Sequence, residues 1–414
     1  MCAGICPKKA ISMNSCNGLY LPVINQAYCQ NCGVCLRSCP GYVVDFENLN
    51  DRFFGVQPVN YLVGNYIQAY VGYSADDSVR FSSSSGGVVT QLLIYALETG
   101  IIDGALVVRM NKEKPLEPEV FIARTKQQLV SASKSKYCPV SIQDGIAEIL
   151  KTAGRYAFVG LPCHIHALRK AQLFSTILFQ RVVLVIGLFC AKTSTFEATR
   201  FLLKSLGVSE ETVSSIDYRG NGWPGGFTIT FKQGTTKFVL FDEYRRVVGL
   251  MLFAPPRCLL CSDVFSELSD ISVGDAWLPK YTNDKSGQSI IVCRSQCGKT
   301  LLERSAVDRA IIINAISIDE VLQSQKRTIR SKKTKARQAR VFVYSMLMGS
   351  TPKFISIDPL MSQQHRKLVF QLPEAFVRCT LVYVASKHNG KLPTFAMYAI
   401  GALMKLGLKF ARKK

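Results

Sequence analysis

Arg257-Cys258-Leu259-Leu260-Cys261-Ser262-Asp263 places two thiols within reach of one metal centre. Two ligands do not close a site. Two further cysteines follow apolar, strand-like runs. Cys163 ends Gly160-Leu161-Pro162-Cys163 after Tyr156-Ala157-Phe158-Val159, and Cys190 ends Gly187-Leu188-Phe189-Cys190 after Val182-Val183-Leu184-Val185-Ile186. In an open α/β sheet, sites form beyond the carboxyl ends of strands. Four cysteines from three segments are therefore expected to converge on one sheet edge. Four thiolates are the ligand set of a 4Fe–4S cluster, and equally of a structural zinc. Taken singly, Cys163 or Cys190 reads as a small buried apolar side chain. The set of four points to metal.

The N-terminus shows which metal chemistry the chain uses. Cys29-x-x-Cys32-x-x-Cys35-x-x-x-Cys39-Pro40 has the bacterial ferredoxin spacing. In that pattern the close triplet wraps one cluster and the fourth cysteine serves the other cluster of a pair. Cys2-Ala3-Gly4-Ile5-Cys6-Pro7 matches the second half of the same motif. Cys6 is thus expected to complete the cluster of Cys29, Cys32 and Cys35. Cys2 and Cys39 are expected to serve a second cluster whose first two cysteines are missing from this sequence. That cluster is then completed by a segment upstream, absent, or completed abnormally, with Cys16 as a substitute. A zinc knuckle is the competing reading, and Pro40 argues against it.

Composition sets the frame. The chain has 414 residues, 48% hydrophobic and 19% charged, enough for two or three domains with a large core. Eight of its 15 cysteines, Cys2, Cys6, Cys29, Cys32, Cys35, Cys39, Cys258 and Cys261, fall in metal spacings rather than in the framework of a short secreted chain. No signal peptide and no uninterrupted apolar run of membrane-spanning length is present, so a reducing, cytoplasmic setting is expected. The formal charge of +22 implies an acidic partner, a phosphate-bearing cofactor or a membrane surface. No nucleic-acid recognition motif is found, and no nucleic acid is expected.

The elements that position these cysteines read as alternating strands and helices. Residues 1–45 form a small ferredoxin-like α+β domain, and 46–65 read as a linker. Residues 66–325 read as an α/β domain, a mixed sheet covered by helices. Strands are expected near 66–73, 104–108, 156–159, 182–186, up to Asp275, and 289–293. Helices are expected at 88–98, 125–133, 141–152, 164–172, 195–206 and 299–307. Residues 227–232 and 237–241 read as a hairpin. Ser82-Ser83-Ser84-Ser85-Gly86-Gly87 opens the helix at 88. Bare N–H groups at such a start attract phosphate, so this is a capped helix or a phosphate site. Cys138, Cys293, Cys297 and Cys379 have no metal spacing.

Residues 326–414 read as a basic, partly helical extension. Lys326 to Arg340 holds eight Lys or Arg and no acid, a solvated face or linker, or a docking surface for an acidic partner or anionic lipid. The segment from Leu392 to Leu408, followed by Lys409, Arg412, Lys413 and Lys414, is a candidate interfacial helix at the inner membrane face.

Together these motifs resemble the beta subunits of coenzyme F420 hydrogenases and dehydrogenases, over about residues 66–325, with a fused ferredoxin domain. The matching motifs are Ser84-Ser85-Gly86-Gly87-Val88-Val89-Thr90, Ala123-Arg124-Thr125 with Ser135-Lys136-Tyr137, and Gly160-Leu161-Pro162-Cys163 with Ala167-Leu168-Arg169-Lys170. Gly187-Leu188-Phe189-Cys190, Cys258-Leu259-Leu260-Cys261 and Ser269-Asp270-Ile271-Ser272-Val273-Gly274-Asp275 complete them. The resemblance implies a 4Fe–4S cluster on Cys163, Cys190, Cys258 and Cys261 beside an FAD. It implies a flavin site lined by Ser85, Gly86, Gly87, Thr90, Lys136 and Tyr137, with Lys136 as a positive charge for reduced flavin. His164 stands where the family usually has Gln, as a proton relay or a tolerated polar neighbour of the cluster. The implied cofactors are two 4Fe–4S clusters, a third incomplete in this sequence, and FAD. The implied partners are a redox protein or ferredoxin and a deazaflavin or small organic acceptor. The implied activity is that of a flavin-dependent iron–sulfur oxidoreductase. A non-catalytic electron-transfer subunit, linked to surface-polysaccharide synthesis, is the alternative, and a zinc-stapled interaction protein is a third.

Overall fold

The structure is a computed structural model that describes residues 1–249, 251–348, 353–355 and 375. Cys379 and the candidate interfacial helix near the C-terminus lie outside the described residues.

Eight strands form one mixed sheet. Across the sheet the order is Ile311–Ile316, Gln68–Ser74, Ser289–Cys293, Ile271–Asp275, Val182–Leu188, Tyr156–Gly160, Gly104–Met110 and Pro118–Ala123. Ile271–Asp275, Val182–Leu188, Tyr156–Gly160 and Gly104–Met110 run parallel. Gln68–Ser74 points the same way, because Ser289–Cys293 is antiparallel to both of its neighbours. Five carboxyl ends therefore meet at one edge, which is where sites form in such sheets.

The central strand shows why its run is apolar throughout. Leu184 and Ile186 face a cluster with Val88, Leu92 and Ile94 on one side. Val182 and Val185 face Ile146, Ile165 and Leu168 on the other. Both faces are covered, so the period of two disappears from the sequence. Pro118–Ala123 and Ile311–Ile316 are two edge strands that the motif reading does not contain. The latter leaves Ile312 exposed, so its pattern is weak.

A second, three-stranded sheet of Val213–Asp217, Gly226–Phe231 and Thr236–Leu240 stands apart, and the expected hairpin is its antiparallel pair. Helices Phe196–Ser205 and Phe241–Val248 cover it around Phe227 and Tyr218. The N-terminal region holds helix Cys2–Ile5, hairpin Ile11–Cys16 with Leu19–Ile24, helix Val34–Ser38 and strand Val43–Asp45.

Two expectations are corrected. The segment read as a linker contains a capped helix, Phe46–Phe54. Asp45 accepts from Asn48 N at its start, Gly55 ends it at φ 69°, and Phe46 and Leu49 join the core beside Ile165. Asp before and Gly after an apolar stretch are helix boundary signals. The basic run is only in part a solvated face, with Lys326, Arg327 and Arg330 exposed. It forms helix Lys326–Lys332 and the start of helix Lys335–Met348, and it buries Lys332, Lys333 and Arg340. Among the described residues no helix is long and apolar enough to cross a membrane.

Candidate functional site

Each inner cysteine sits just beyond a strand end or a tight turn. Cys163 is in the first turn of helix Pro162–Gln172, which begins where strand Tyr156–Gly160 stops. Pro162 at the helix start has no N–H of its own to satisfy. Cys190 follows strand Val182–Leu188, its N–H bonded to Val264 O at 2.9 Å. Cys258 lies in the short helix Pro256–Leu260, and Cys261 is the residue that ends it.

These thiols share one neighbourhood. Burial raises the pKa of Cys163, Cys190 and Cys258. The charges of Cys258 and Cys261 raise Cys163, and those of Cys258, Cys163 and Cys261 raise Cys190. Cations oppose this. Lys332 acts on Cys163, Cys190 and Cys258, and Arg257 on Cys163 and Cys258. Lys192, pushed down to about 8 by burial, is held up by Cys258 and Cys190. As placed, no three of the described His, Cys, Asp or Glu side chains form a metal-holding group. The structure supplies four sulfur donors and a cationic surround, not a closed coordination sphere. That donor chemistry fits an anionic metal–thiolate group, whose formation must expel the thiol protons.

The N-terminal cysteines divide. Burial raises Cys35, and the charges of Cys2 and Cys32 add to it. Cys6 Sγ accepts from Ala10 N at 3.4 Å, and Cys29 stands 3.7 Å from Asn31 Oδ1. Cys16 is exposed at the hairpin tip, where Gly18 meets Thr195 and Glu197. Cys39 lies toward the inner site. Lys170 Nζ donates to Cys39 O at 2.6 Å, and Arg257 Nη2 donates to Pro40 O at 2.7 Å. The Met1 ammonium feels Cys2, Cys39 and Cys163 together.

On the same sheet edge lies the glycine loop. Gly87, at φ 75°, caps helix Val88–Glu98. Gly86 N donates to Ser289 Oγ at 3.0 Å, and Ser85 Oγ to Gln288 O at 2.7 Å. Thr90 is buried within that helix. Ser135 N donates to Ser84 Oγ at 2.7 Å, bringing the Lys136-Tyr137 segment to the loop. Lys136 itself turns inward. Its Nζ donates to Ala132 O, Ser133 O and Lys134 O at 2.7, 2.5 and 2.9 Å, and burial pushes its pKa down to about 7. All three ammonium donors have backbone partners. His164 Nδ1 accepts from Leu161 N at 3.4 Å, and burial pushes its pKa down to about 4, so it is neutral near pH 7.

Comparison with known proteins decides the family. The family description "Coenzyme F420 hydrogenase/dehydrogenase, beta subunit N-term" matches residues 69–147, and its C-terminal counterpart matches 153–319. The chain belongs to the coenzyme F420 hydrogenase/dehydrogenase beta subunit family. It is 26% identical to the coenzyme F420 hydrogenase subunit beta of Methanothermobacter thermautotrophicus, over 67% of this chain and 97% of the relative. It is 25% identical to the coenzyme F420-dependent sulfite reductase of Methanocaldococcus jannaschii, over 78% of this chain, and spans about half (52%) of that protein's length. A chain of the F420-reducing NiFe hydrogenase complex of Methanosarcina barkeri shares the fold, with TM-score 0.55 and 22% identity over 71% of this chain and 98% of that one.

Within this family chain, three groups of residues carry the site without a motif to announce them. Arg219 is 1% exposed and joins four segments. Its guanidinium donates to Ser84 O, to Tyr137 Oη at 3.1 Å, to Pro224 O at 2.8 Å and to Asp275 Oδ1 at 2.9 Å. Asp275 also accepts from Trp223 Nε1 at 2.7 Å. His166 Nε2 lies 2.8 Å from Asp263 Oδ2, both fully buried. Lys332 Nζ reaches Cys261 Sγ at 3.5 Å, and it lies beyond residue 319, where the family match ends. A lone Arg, His or Lys has no spacing to betray it.

Proposed function

We propose that this chain is an iron–sulfur flavoprotein oxidoreductase. It passes electrons between 4Fe–4S clusters and FAD and exchanges a hydride with a deazaflavin, coenzyme F420, or with an organic acceptor. One observation carries the reading: the thiol neighbourhood and the glycine loop abut on a single sheet edge. Gly274 has no room for a Cβ because Phe189, the residue before Cys190, packs against it. The next residue, Asp275, binds Arg219, and Arg219 binds Ser84 of the loop. Two covalent steps, one packing contact between Phe189 and Gly274, and two hydrogen bonds therefore link Cys190 to the loop.

When bound, FAD supplies two-electron hydride chemistry and iron–sulfur clusters supply single-electron transfer. Cys163, Cys190, Cys258 and Cys261 would hold the inner cluster, and Cys6, Cys29, Cys32 and Cys35 an outer one. Cys2 and Cys39 would contribute to another, Cys39 lying toward the inner site through Lys170 and Arg257. The free N–H groups that begin helix Val88–Glu98 would receive the flavin phosphates. Gly86 and Gly87 let backbone approach closely there, and Ser85, Thr90 and Tyr137 border the same loop. Lys136 braces the neighbouring turn.

The relatives named as hydrogenase beta subunits favour a second reading at the level of assembly. This chain matches one of them over 97% of that relative's length, which supports a role as one subunit beside a redox partner protein or ferredoxin. Cysteines spaced for metal suit a reducing compartment, the cytoplasm.

The deciding experiment is iron, acid-labile sulfide, zinc and flavin per chain after anaerobic purification, followed by turnover with reduced coenzyme F420. About eight iron, one FAD and turnover by the isolated chain support the enzyme. Iron without flavin or turnover leaves the electron-transfer subunit. Zinc in place of iron overturns both.

A further inference from the structure

We propose that Lys332 is the fixed counter-charge of the inner thiol site, held in place by a clasp built from the basic segment, and that it sets the reduction potential of the cluster there. This rests on the iron–sulfur reading above.

The clasp has two arms. Arg337 Nε donates to Leu260 O at 2.9 Å and Arg340 Nε to Leu259 O at 3.0 Å. These carbonyls end helix Pro256–Leu260, which carries Cys258, and a helix's last carbonyls are short of partners and partly negative. Ala339 and Val343 pack on Leu259 and Leu260. On the other side Lys333 Nζ pairs with Glu267 at 2.5 Å and donates to Tyr61 O at 2.7 Å.

Lys332 sits between the arms. Its Nζ donates to Cys190 O at 2.8 Å, Asp263 O at 2.7 Å and Cys261 Sγ at 3.5 Å. All three N–H donors are used, on two of the three segments that supply thiols. Charge then decides between packing and function. Three buried cations in this neighbourhood, Lys332, Lys333 and Arg294, face two buried carboxylates, Asp263 and Glu267. A buried ammonium without an anion is costly. The thiol site is where the balancing negative charge belongs, since a 4Fe–4S core with four thiolates carries roughly −2. A fixed positive charge at such a site stabilises its more reduced, more negative state.

The test uses the full chain, purified or reconstituted anaerobically, as wild type, Lys332→Met and Lys332→Arg. Iron per chain is measured first, then each cluster's midpoint by EPR-monitored redox titration. The expected result is that Lys332→Met moves one midpoint to more negative potential and Lys332→Arg does not. Loss of iron in Lys332→Met with retention in Lys332→Arg also supports the counter-charge. Wild-type midpoints and iron in Lys332→Met would overturn the proposal while leaving the iron–sulfur reading intact. Loss of iron in both variants would reduce Lys332 to packing and overturn it too. A wild type that takes up no iron removes the reading itself, before any variant is made, and the proposal with it.

Discussion

Arg219 Nη2 stands 2.9 Å from Asp275 Oδ1, and the same guanidinium nitrogen donates to the Ser84 carbonyl. Asp275 closes strand Ile271–Asp275, and Ser84 belongs to the loop before helix Val88–Glu98. Arg219 is the tie between them. Arg219→Ala leaves the Asp275 carboxylate with Trp223 Nε1 as its remaining donor, while Ser324 Oγ and Gln325 Nε2 still hold the Asp275 backbone carbonyl. Breaking one partner of a buried pair costs about 3–5 kcal/mol, with the lower end expected because Asp275 is partly exposed. The denaturation midpoint should fall and flavin content with it. Full flavin occupancy in a folded Arg219→Ala protein would show that the loop is held in other ways.

Cysteines inside and outside the proposed ligand sets should behave differently. Cys190→Ala should lower iron by about four per chain, the content of one cluster. Cys138→Ala should leave it unchanged. Cys138 is buried in the cluster around Tyr218 and Phe227, and burial pushes its pKa up to about 12, so it is an inert thiol. Equal iron loss in both variants would mean that general destabilisation, not ligation, is being read.

The sequence shows the sheet and the cysteines because both leave a local mark, an unbroken apolar run in one case and a fixed spacing in the other. The run from Val182 to Ile186 is apolar because both sheet faces are covered, and the cysteine spacings are those of metal loops. What is not legible is whatever depends on distant partners. Lys332 reads as one charge among eight, and only the fold shows its ammonium against Cys261 and Cys190 O. Arg219 lies 135 residues from Ser84 and 56 from Asp275. Helix Phe46–Phe54 was legible from Asp45 and Gly55, but its short apolar face resembles a linker. The resemblance offers Lys136 as a positive charge for reduced flavin, and a sequence does not show the three carbonyls around it.

That placement makes Lys136→Met a stability variant. Ala132 O, Ser133 O and Lys134 O would lose a shared donor; a buried unsatisfied acceptor costs about 1–3 kcal/mol, with the lower end expected because these residues are partly exposed. A lowered melting temperature is expected with flavin content per folded chain retained. Wild-type melting together with lost flavin would return Lys136 to the flavin site.

His166 gives the stability a pH dependence. Burial lowers its pKa despite the hydrogen bond to Asp263, which raises it. The unfolded residue has a pKa of about 6.5. Below that value the unfolded chain binds a proton that the folded chain refuses, so stability falls as pH drops from about 6.5 toward the depressed folded pKa. Urea midpoints at pH 7 and pH 5 should differ more for the wild type than for His166→Gln. The same loss in both would assign the acid sensitivity elsewhere.

The glycine loop offers a graded test of its own geometry. Gly87 has φ 75°, a conformation that costs a residue with a Cβ roughly 1 kcal/mol, and a Cβ there would also lie 3.1 Å from Arg80 Cα and Val79 O, tight but looser than the contacts at Gly86. Gly86 has a different constraint: a Cβ there would lie 2.6 Å from Gly72 O and 3.0 Å from Ser289 N, both backbone atoms that cannot move aside cheaply. Gly86→Ala should therefore be the more damaging change, because it pushes the loop off strand Gln68–Ser74 and breaks the Gly86 N to Ser289 Oγ bond. Gly87→Ala should lower the melting temperature modestly and keep flavin. Gly86→Ala should lose flavin at a temperature where the sheet remains folded by circular dichroism. If Gly87→Ala proves the worse of the two for flavin content, then the left-handed turn, not the close approach to Gly72, is what shapes the helix start for phosphate.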